Sequence, residues 1–380
     1  MKSLLEKPES ARAGWHALAG DLPGEERAPR PLAPARWDWR EVRSVLVVRL
    51  RSIGDTVLAT SSLDALRRFL PQAKIDVLLE SWVAPVLEGF DAVDNIITVE
   101  RGSTASRARA VKRLRAARYD VAYNLHGGTT ATLLTRASGA RHRVGYSSYQ
   151  YSRLFNHPAP PPTEIWGQAK THSVEQQLAL LGWTGVPVSD RPRTRLAVTE
   201  QAASSVGERL RASGIDSAKP LALIHPAAAF DTKQWATPNF ARVAENLSAR
   251  GFECVAISAP NERRVTTDLI ESSAARVTAF TDLSLPEVTA LAARSRLFVG
   301  NDSGVAHISA AVRTPSVVIF GSSNVAHWRP WTVAPAEVVR EELSCQPCPG
   351  YSCSEFDAPE CIRRVKVEAV VAAIDRVLDE

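Results

Sequence analysis

The sequence contains no long hydrophobic run. No stretch approaches the roughly 18 consecutive apolar residues that a membrane-spanning helix needs, so a transmembrane segment is not expected. The first residues, Met-Lys-Ser-Leu-Leu-Glu-Lys-Pro, lack the apolar core of a secretory signal peptide. We therefore expect a protein that stays in the cytoplasm. Heptad, solenoid and low-complexity repeats are also absent, which excludes coiled coils and repeat arrays.

Two chemical signatures are missing as well. The pattern Gly-x-Gly-x-x-Gly does not follow the first strand-like run, where Arg51-Ser-Ile-Gly-Asp-Thr stands instead. A nicotinamide-dependent oxidoreductase on a doubled dinucleotide fold is therefore disfavoured. We also recognise no paired carboxylates of the kind that would hold a divalent ion on a diphosphate.

The residues that are present describe an ordinary globular protein, with 45% hydrophobic and 23% charged residues. The 380 residues predict two domains, at about 100–200 residues per domain. The net charge is only +5, but seven basic residues form a run without an acid: Arg101, Arg107, Arg109, Lys112, Arg113, Arg115 and Arg118. This run is either a solvated helix face or a patch that meets acidic lipid or an anionic acceptor. It lacks interleaved aromatics, so nucleic-acid binding is not expected.

Apolar runs and amphipathic stretches alternate from residue 42 onward, which predicts an α/β protein with parallel sheets covered on both faces. In the first half, strands are predicted at 45–50, 75–79, 95–99, 121–125 and 143–146, and helices at 56–70, 104–117, 129–138 and 172–181. In the second half, strands are predicted at 221–225, 254–257, 297–299 and 316–320, and helices at 238–250, 262–272, 285–293, 305–311 and 367–378. The proline-rich segment 147–171 is predicted to be a loop over the cleft rather than a regular element.

These patterns divide the chain into five parts. Residues 1–41 are interpreted as an extension that is disordered or wraps the surface. Its tryptophans, Trp15, Trp37 and Trp39, are expected to dock on the folded body more readily than at a membrane interface. The other predicted parts are a first domain at 42–183, a linker at 184–198, a second domain at 199–366 and a C-terminal helix at 367–380.

The most informative stretch is 297–307, Leu-Phe-Val-Gly-Asn-Asp-Ser-Gly-Val-Ala-His. An apolar strand-like run leads into Asn-Asp-Ser-Gly, and helix-forming residues follow. Asp302, Ser303 and His307 then surround one helix N-terminus, where free N–H groups and the helix dipole favour an anion, typically a phosphate. The sequence therefore predicts a phosphate-bearing ligand, although His307 taken alone also fits a satisfied buried histidine.

A second strand-turn-helix pattern occurs in the first half, with Ser52-Ile-Gly-Asp55 as its turn. Ligands of open α/β sheets bind beyond the carboxyl ends of strands, and pockets favour domain interfaces. Asp55 and Asp302 are therefore expected to face one cleft from opposite sides. From spacing alone, Asp55 is either a general base or a plain N-cap aspartate.

Three segments together carry a resemblance to a known family. They are Ser52-Ile-Gly-Asp-Thr-Val-Leu-Ala-Thr60, His225-Pro-Ala-Ala-Ala-Phe-Asp-Thr-Lys-Gln-Trp235 and Asn301-Asp-Ser-Gly-Val-Ala-His307. In this order and spacing they resemble glycosyltransferase family nine, the lipopolysaccharide heptosyltransferases, over roughly residues 43–378. The resemblance implies the GT-B fold, in which two Rossmann-like domains face each other. It further implies that the first domain binds the acceptor and the second binds the nucleotide sugar.

The resemblance assigns roles to two catalytic residues. Asp55 matches the general base, which takes a proton from the acceptor hydroxyl. Lys233 matches a lysine before the Trp that stabilises charge on the departing diphosphate. Two positions depart from the family pattern, since Ala227 stands where Gly is common and Ala236 where Pro often follows the Trp.

Other residues are assigned to binding. The N–H groups of Ser303, Gly304 and Val305 are expected to hold the diphosphate. By resemblance, Asp302 contacts hydroxyls of the transferred sugar and His307 helps to fix the phosphate. Glu262, at a strand end, either reaches a ribose or is a helix-start acid. Gly54 and Arg51 are expected on the acceptor side.

The implied reaction is a single inverting displacement that moves a sugar, expected to be heptose, from an ADP-sugar to a lipopolysaccharide core. A lysine and a helix N-terminus neutralise the leaving group, so no metal cofactor is expected to be required. The expected partners are ADP-heptose, an anionic glycolipid acceptor and the cytoplasmic face of the inner membrane. A non-catalytic binder of nucleotide sugars or sugar phosphates would keep the anion site without needing Asp55 and Lys233, so the enzyme is favoured.

The five cysteines divide unequally. Cys254 is expected in the core. The others, Cys345-x2-Cys348-x4-Cys353-x7-Cys361, lie in a loop rich in Pro and Gly at 345–361. In a reducing compartment this density suggests a structural zinc, with free thiols or redox-labile pairs as the alternatives, because the spacing departs from the common paired CxxC arrangement.

Overall fold

Both halves of the chain fold around a parallel sheet whose central strands are runs of buried aliphatic residues. The computed structural model describes residues 28–348 and 351–379. The first sheet is built from β1 (Ser44–Val48), β2 (Lys74–Glu80), β3 (Asn95–Val99), β4 (Val121–Asn124), β5 (His142–Tyr146) and β6 (His157–Ala159). Its helices are α1 (Ile53–Phe69), α2 (Thr104–Ala117), α3 (Gly128–Ala137), α4 (Pro162–Trp166) and α5 (Ser173–Trp183).

The second half repeats this plan. Its strands are β7 (Leu221–His225), β8 (Glu253–Ile257), β9 (Val277–Phe280), β10 (Leu297–Asn301), β11 (Ser316–Phe320) and β12 (Ala336–Arg340). Its helices are α6 (Glu200–Ala212), α7 (Thr237–Ala249), α8 (Arg263–Ser272), α9 (Leu285–Arg294), α10 (Gly304–Ala311), α11 (Val325–Trp328), α12 (Glu360–Arg363) and α13 (Val367–Asp379). The last helix, α13, packs on β11, β12 and α7 of this half.

The two sheets have the same topology. The strand order is β3-β2-β1-β4-β5-β6 in the first and β12-β11-β10-β7-β8-β9 in the second, and all pairs are parallel. This is the order of doubly wound dinucleotide-binding domains, in which the strand order reverses at one switch point. The prediction of two Rossmann-like domains with parallel sheets is confirmed.

The two domains meet through the helices that follow β1 and β10. Helix α1 packs against α10, so the N-termini of both helices lie at the interface. The contact is close: a Cβ added to Gly304 would lie 2.8 Å from Cβ of Ile53. At this point of the cleft, a side chain of the first domain is therefore in contact with the second domain.

Several predicted elements need correction. The segment 147–171 is not only a loop, because it contains the edge strand β6 and the short helix α4. The strands β9 and β12 and the helix α6 were also missed. The three missed strands are all sheet edges and are only partly buried, so they lack the apolar run by which central strands are recognised.

The described part of the N-terminal extension lies on the first domain. Backbone N–H groups of Leu32 and Ala33 donate to the carbonyl of Gly182, and Trp39 Nε1 donates to the carbonyl of Thr184. Trp37 stacks on His142 with ring centroids 4.4 Å apart. Docking on the folded body is thus confirmed for Trp37 and Trp39, while Trp15 lies outside the described residues.

Residues 184–199 connect the two halves without helix or strand. The exact domain boundaries stay predictions. Within residues 28–348 and 351–379, no helix combines the length and the apolar character needed to cross a membrane.

Candidate active site

The switch points of the two sheets bring the predicted site residues together. In the first sheet the switch lies between β1 and β4, and in the second between β10 and β7. Ligands of such sheets bind beyond the carboxyl ends of the switch strands. Asp55 follows β1, whereas Asp302 follows β10 and Lys233 follows β7. The packing of α1 on α10 then places these ends opposite each other, as the sequence predicted.

Asp55 is held from two sides. It occupies the first turn of α1, where its Oδ2 accepts hydrogen bonds from the Ser52 backbone N–H at 3.3 Å and Ser52 Oγ at 3.2 Å. It also forms an ion pair with the buried guanidinium of Arg49, which in turn donates to the carbonyl of Leu125. Asp55 is therefore both a helix-start aspartate and a fixed carboxylate, with one fifth of its side chain exposed.

A cavity of about 320 Å³ opens beside Asp55. Its lining comes mostly from the first domain, including His126 and Gln177, and α11 of the second domain contributes His327 and Trp328. Burial, aided by Arg49, lowers the pKa of His126 to about 4, so this imidazole is neutral at neutral pH. An acceptor alcohol in this cavity would be within reach of a carboxylate that can take its proton.

The predicted anion site lies on the second domain, at the N-terminus of α10. Helix α10 begins at Gly304, and the side chain of its N-cap, Ser303, does not cap the helix but lies 3.2 Å from Nδ1 of His225. The first N–H groups of a helix have no partner within it, so those of the first turn of α10 remain available to an anion. Ser303, Gly304 and Val305 are all half-buried at this turn.

Lys233 and Asp302 form an ion pair at the entrance to this turn. Lys233 Nζ lies 2.8 Å from Asp302 Oδ2, and Ser323 Oγ donates to the same oxygen at 2.5 Å. Asp302 is almost completely buried, whereas nearly a quarter of the Lys233 side chain is exposed. The ammonium is thus fixed beside the helix N-terminus, where a diphosphate would gain both interactions.

The loop that carries Lys233 is fastened to the second sheet by buried polar contacts. Asn301, which is fully buried, accepts from the Trp235 backbone N–H at 3.1 Å and donates to the Pro226 carbonyl at 2.8 Å. Gly321 approaches so closely that an added Cβ would lie 2.0 Å from the Thr232 carbonyl oxygen. These contacts fix the position of the lysine before any ligand binds.

Comparison with known proteins identifies the family. Residues 107–358 match the sequence profile of glycosyltransferase family 9 (heptosyltransferase). The chain belongs to this family. It is 30% identical over 298 residues to lipopolysaccharide heptosyltransferase 3 of Escherichia coli strain K12, covering 74% of this chain and 84% of that protein.

Other relatives agree with this assignment. Lipopolysaccharide heptosyltransferase 2 of the same strain is 25% identical, over 74% of this chain and 83% of that protein. The solved E. coli ADP-heptose heptosyltransferase II has a TM-score of 0.74 at 23% identity, over 88% of this chain and 98% of that one. An E. coli heptosyltransferase solved with ADP has a TM-score of 0.67 at 19% identity, over 89% of this chain and 100% of that one. The GT-B fold and a glycosyltransferase activity are thereby confirmed.

Of the two departures from the family 9 pattern, the one at position 236 is explained by the backbone conformation. Ala236 has φ −61° and ψ 131°, a backbone conformation that proline also adopts, and it precedes α7 as its N-cap. Ala227 is buried, with 1% of its surface exposed. With alanine at both positions, the loop keeps its hydrogen bonds to Asn301.

His307 is not a satisfied core histidine. Its ring is buried, and Nδ1 has no hydrogen-bond partner in the part of the chain that is described. Burial lowers the pKa of His307, so it stays neutral. It lies against Gly54 at the interface, and its assigned role in holding phosphate stays a prediction.

The remaining predicted residues are less central. Glu262 Oε2 accepts from the Ala259 backbone N–H at 3.2 Å, as a helix-start acid does, so its proposed contact with a ribose stays a prediction. Arg51 is exposed beside the turn that carries Asp55. Gly54 is buried at the interface.

The four clustered cysteines carry no disulfide, and Cys254 is buried as expected. Cys348 Sγ lies 3.1 Å from the carbonyl oxygen of Cys345, within donating distance. Among the described residues, which include all five cysteines, no three His, Cys, Asp or Glu side chains are grouped so that they could hold a metal ion. The geometry therefore gives the zinc hypothesis no support, and it stays a prediction.

Sequence reasoning missed several residues of the site. Arg49 lies within a predicted strand and Asn301 within a motif of the resemblance, but the sequence assigns neither a supporting role, and Ser323 lies in no predicted element. Gln177 offered one recognisable signal, since it is a polar residue within the apolar stretch of α5. His126 follows β4 at the switch point, and only the strand order reveals its position.

Proposed function

We propose that this glycosyltransferase moves heptose from ADP-heptose to a lipopolysaccharide core acceptor by a single inverting displacement. The observation that carries the proposal is the contact of α1, whose first turn holds Asp55, with the N-terminal turns of α10, beside which Lys233 is fixed by Asp302. The heptosyltransferases named above support the choice of sugar, nucleotide and acceptor. An Asp55 carboxylate takes the acceptor proton while Lys233 and the α10 N–H groups stabilise the departing diphosphate.

The test follows nucleotide release by mass from a panel of nucleotide sugars, with a deacylated core as the acceptor. We expect release from ADP-heptose, and Asp55→Asn should lower kcat about 10²–10⁴-fold, since general-base catalysis contributes about that much. Asp64→Asn is the matched control, because Asp64 lies on the same helix and pairs with Arg195 away from the cavity. No release from any donor, or equal rates in parent and Asp55→Asn, would contradict the proposal.

We also propose that the transfer needs no metal ion. Support comes from Lys233 and the α10 N-terminus, which supply positive charge where the diphosphate leaves. Activity should persist in excess EDTA, and a loss that Mg²⁺ restores would contradict this.

Metal analysis of the purified chain tests the separate zinc prediction: one zinc in the parent and none in Cys348→Ser supports it, and none in either contradicts it.

We further propose that the protein works in the cytoplasm, in peripheral contact with the inner membrane. Helix α2 supports this proposal because its sequence contains basic residues and no acid, and Arg109, Lys112 and Arg113 are exposed. It covers the face of the first sheet opposite α1, so the patch points away from the second domain. Anionic lipid attracts such a patch by about 1 kcal/mol per basic residue.

Vesicle sedimentation tests the membrane contact. The parent should bind phosphatidylglycerol vesicles and not phosphatidylcholine vesicles, and replacing Arg109, Lys112 and Arg113 by Gln should weaken binding at least about tenfold. The control replaces Arg211, Arg263 and Arg264, which are exposed on the second domain. Equal loss in both triple variants would indicate an effect of net charge alone and would contradict a specific surface.

A further inference from the structure

Gln177 is buried in the wall of the interdomain cavity, and its side-chain amide is unpaired among the described residues. Its side chain lies on α5, the residue is 4% exposed, and it lines the same cavity as Asp55. Neither its Nε2 nor its Oε1 has a hydrogen-bond partner within residues 28–348 and 351–379. The adjacent Gln176 differs, because its Nε2 lies 3.1 Å from Nδ1 of His327. An unpaired buried amide is costly, and native proteins rarely contain one without a reason.

The charges in the cavity wall balance one another. Arg49 and Asp55 are the charged residues of the lining, and they are paired with each other. Burial lowers the pKa of both lining histidines, to about 4 for His126, so both are neutral at neutral pH. A carboxylate or phosphate that entered would meet no uncompensated cation in this lining. A polar but uncharged group would meet the free amide of Gln177.

We infer that this cavity recognises the acceptor sugar through uncharged hydroxyl groups, and that Gln177 is a specificity-determining residue for it. The inference rests on the proposed function, since it takes Asp55 as the base that faces the acceptor. A side-chain amide presents N–H donors and a carbonyl acceptor on two atoms bonded to the same carbon, which suits a pair of neighbouring sugar hydroxyls. The hydrogen bonds missing in the free protein are made when the sugar binds.

A site built to hydrogen-bond a hydroxyl discriminates strongly, because a ligand without that hydroxyl leaves the buried group unpaired. An unpaired buried amide lowers the stability of the free protein. An apolar replacement at this position is therefore expected to leave the stability equal or higher. Weaker acceptor binding without a loss of stability therefore distinguishes a recognition residue from a structural one. Removing a structural amide would lower stability, whereas removing this one should weaken acceptor binding alone.

The experiment compares the full-length parent with Gln177→Met, which keeps the length of the side chain and removes the amide. We expect the KM for a core acceptor ending in a neutral sugar to rise about 10–100-fold. The KM for the nucleotide sugar should stay within about twofold, and Tm should be equal or higher. Asn246→Leu is the matched control, because Asn246 Oδ1 also has no partner in the described part of the chain but lies on α7, away from the cavity.

Three outcomes would overturn the inference: an unchanged acceptor KM in Gln177→Met, a parallel rise in both KM values, or a fall in Tm of several degrees. A second arm compares core acceptors ending in a neutral and in an acidic sugar, and preference for the acidic one also overturns it.

Calorimetric titration of the neutral acceptor in the presence of ADP needs no turnover. If the parent binds that acceptor and Gln177→Met binds it at least about tenfold more weakly, the inference stands even where transfer activity fails. Absence of binding to the parent overturns it.

Discussion

Gly54 and His307 face each other across the domain interface with no room for another atom between them. A Cβ added to Gly54 would lie 2.6 Å from Cδ2 of His307, closer than real Cβ contacts. Gly54 belongs to the first turn of α1, which carries Asp55, and His307 to the first turns of α10, where the sequence predicts an anion site. The absence of a side chain at position 54 therefore sets how closely the turn that carries Asp55 approaches the N-terminus of α10.

The substitution Gly54→Ala should impair activity without unfolding the protein. Overpacking costs about 1–3 kcal/mol, which corresponds to a loss of about 5–150-fold in kcat/KM if it acts on domain closure. Steady-state kinetics and Tm measure the two effects separately. The control is Gly207→Ala on α6, where an added Cβ meets no described atom within 4 Å and should leave activity intact. Equal activity in Gly54→Ala and the parent would show that the described closure is not the reactive one.

Lys233 and Asp302 should be energetically coupled. Lys233→Met removes the ammonium at the leaving group and should lower kcat about 10²–10³-fold, as the loss of one transition-state stabiliser does. Asp302→Asn should also lower kcat, and the double variant should lose less than the product of the two single effects, because the residues are in contact at 2.8 Å. The control is Lys219→Met, whose ammonium pairs with Glu253 at 3.4 Å on the domain surface. Strict multiplicativity would contradict the coupling.

The fold was predictable where burial is uniform, and the errors lie where it is not. Central strands such as β7 and β10 are fully buried, so their apolar runs are plain in the sequence. The edge strand β6 contains Pro158 and has only one buried residue, so it reads as a loop. Helix α6 was missed although Thr199 caps it and Ala202, Val206 and Leu210 line its buried face.

The motif residues of the candidate site were predictable from the sequence, whereas the residues that support them were not. Asp55, Lys233 and Asp302 lie at strand-to-helix turns, where local sequence points to chemistry. The roles of Arg49 and Gln177 arise from contacts across more than one element, because Arg49 meets both Asp55 and Leu125, and Gln177 reaches the cavity from α5. Such positions depend on strand order and helix packing, which a single sequence does not display.

The docked N-terminal segment should contribute to stability. Trp39 donates to the Thr184 carbonyl at 3.0 Å and packs edge-on to Phe69 at 5.2 Å, so Trp39→Ala removes a packing contact and a hydrogen bond. We expect the free energy of unfolding to fall by about 2–3 kcal/mol, less than for a fully buried Trp. Trp82→Ala is the control, since Trp82 is 51% exposed and its loss should cost under about 1 kcal/mol. Denaturant titration measures both, and equal losses would contradict a structural role for the segment.

Buried histidines should make the protein less stable in mild acid. Burial lowers the pKa of His225 from 6.5 to about 4, so the folded protein keeps this ring neutral while the unfolded chain protonates near pH 6.5. Between these values the unfolded state binds more protons. Stability contributed by the neutral ring is therefore complete above pH 6.5 and is lost as the pH falls toward 4, by up to about 1.4 kcal/mol per pH unit.

The variant His225→Gln isolates this contribution. Urea titrations at pH 7.5, 6.0 and 5.0 should show a smaller loss of stability on acidification in the variant than in the parent. The comparison is needed because burial also lowers the pKa of His172, to about 3, and of His126, and these residues titrate in both proteins. The same pH dependence in parent and variant would show that His225 is not the neutral, buried ring beside Ser303 that the structure describes.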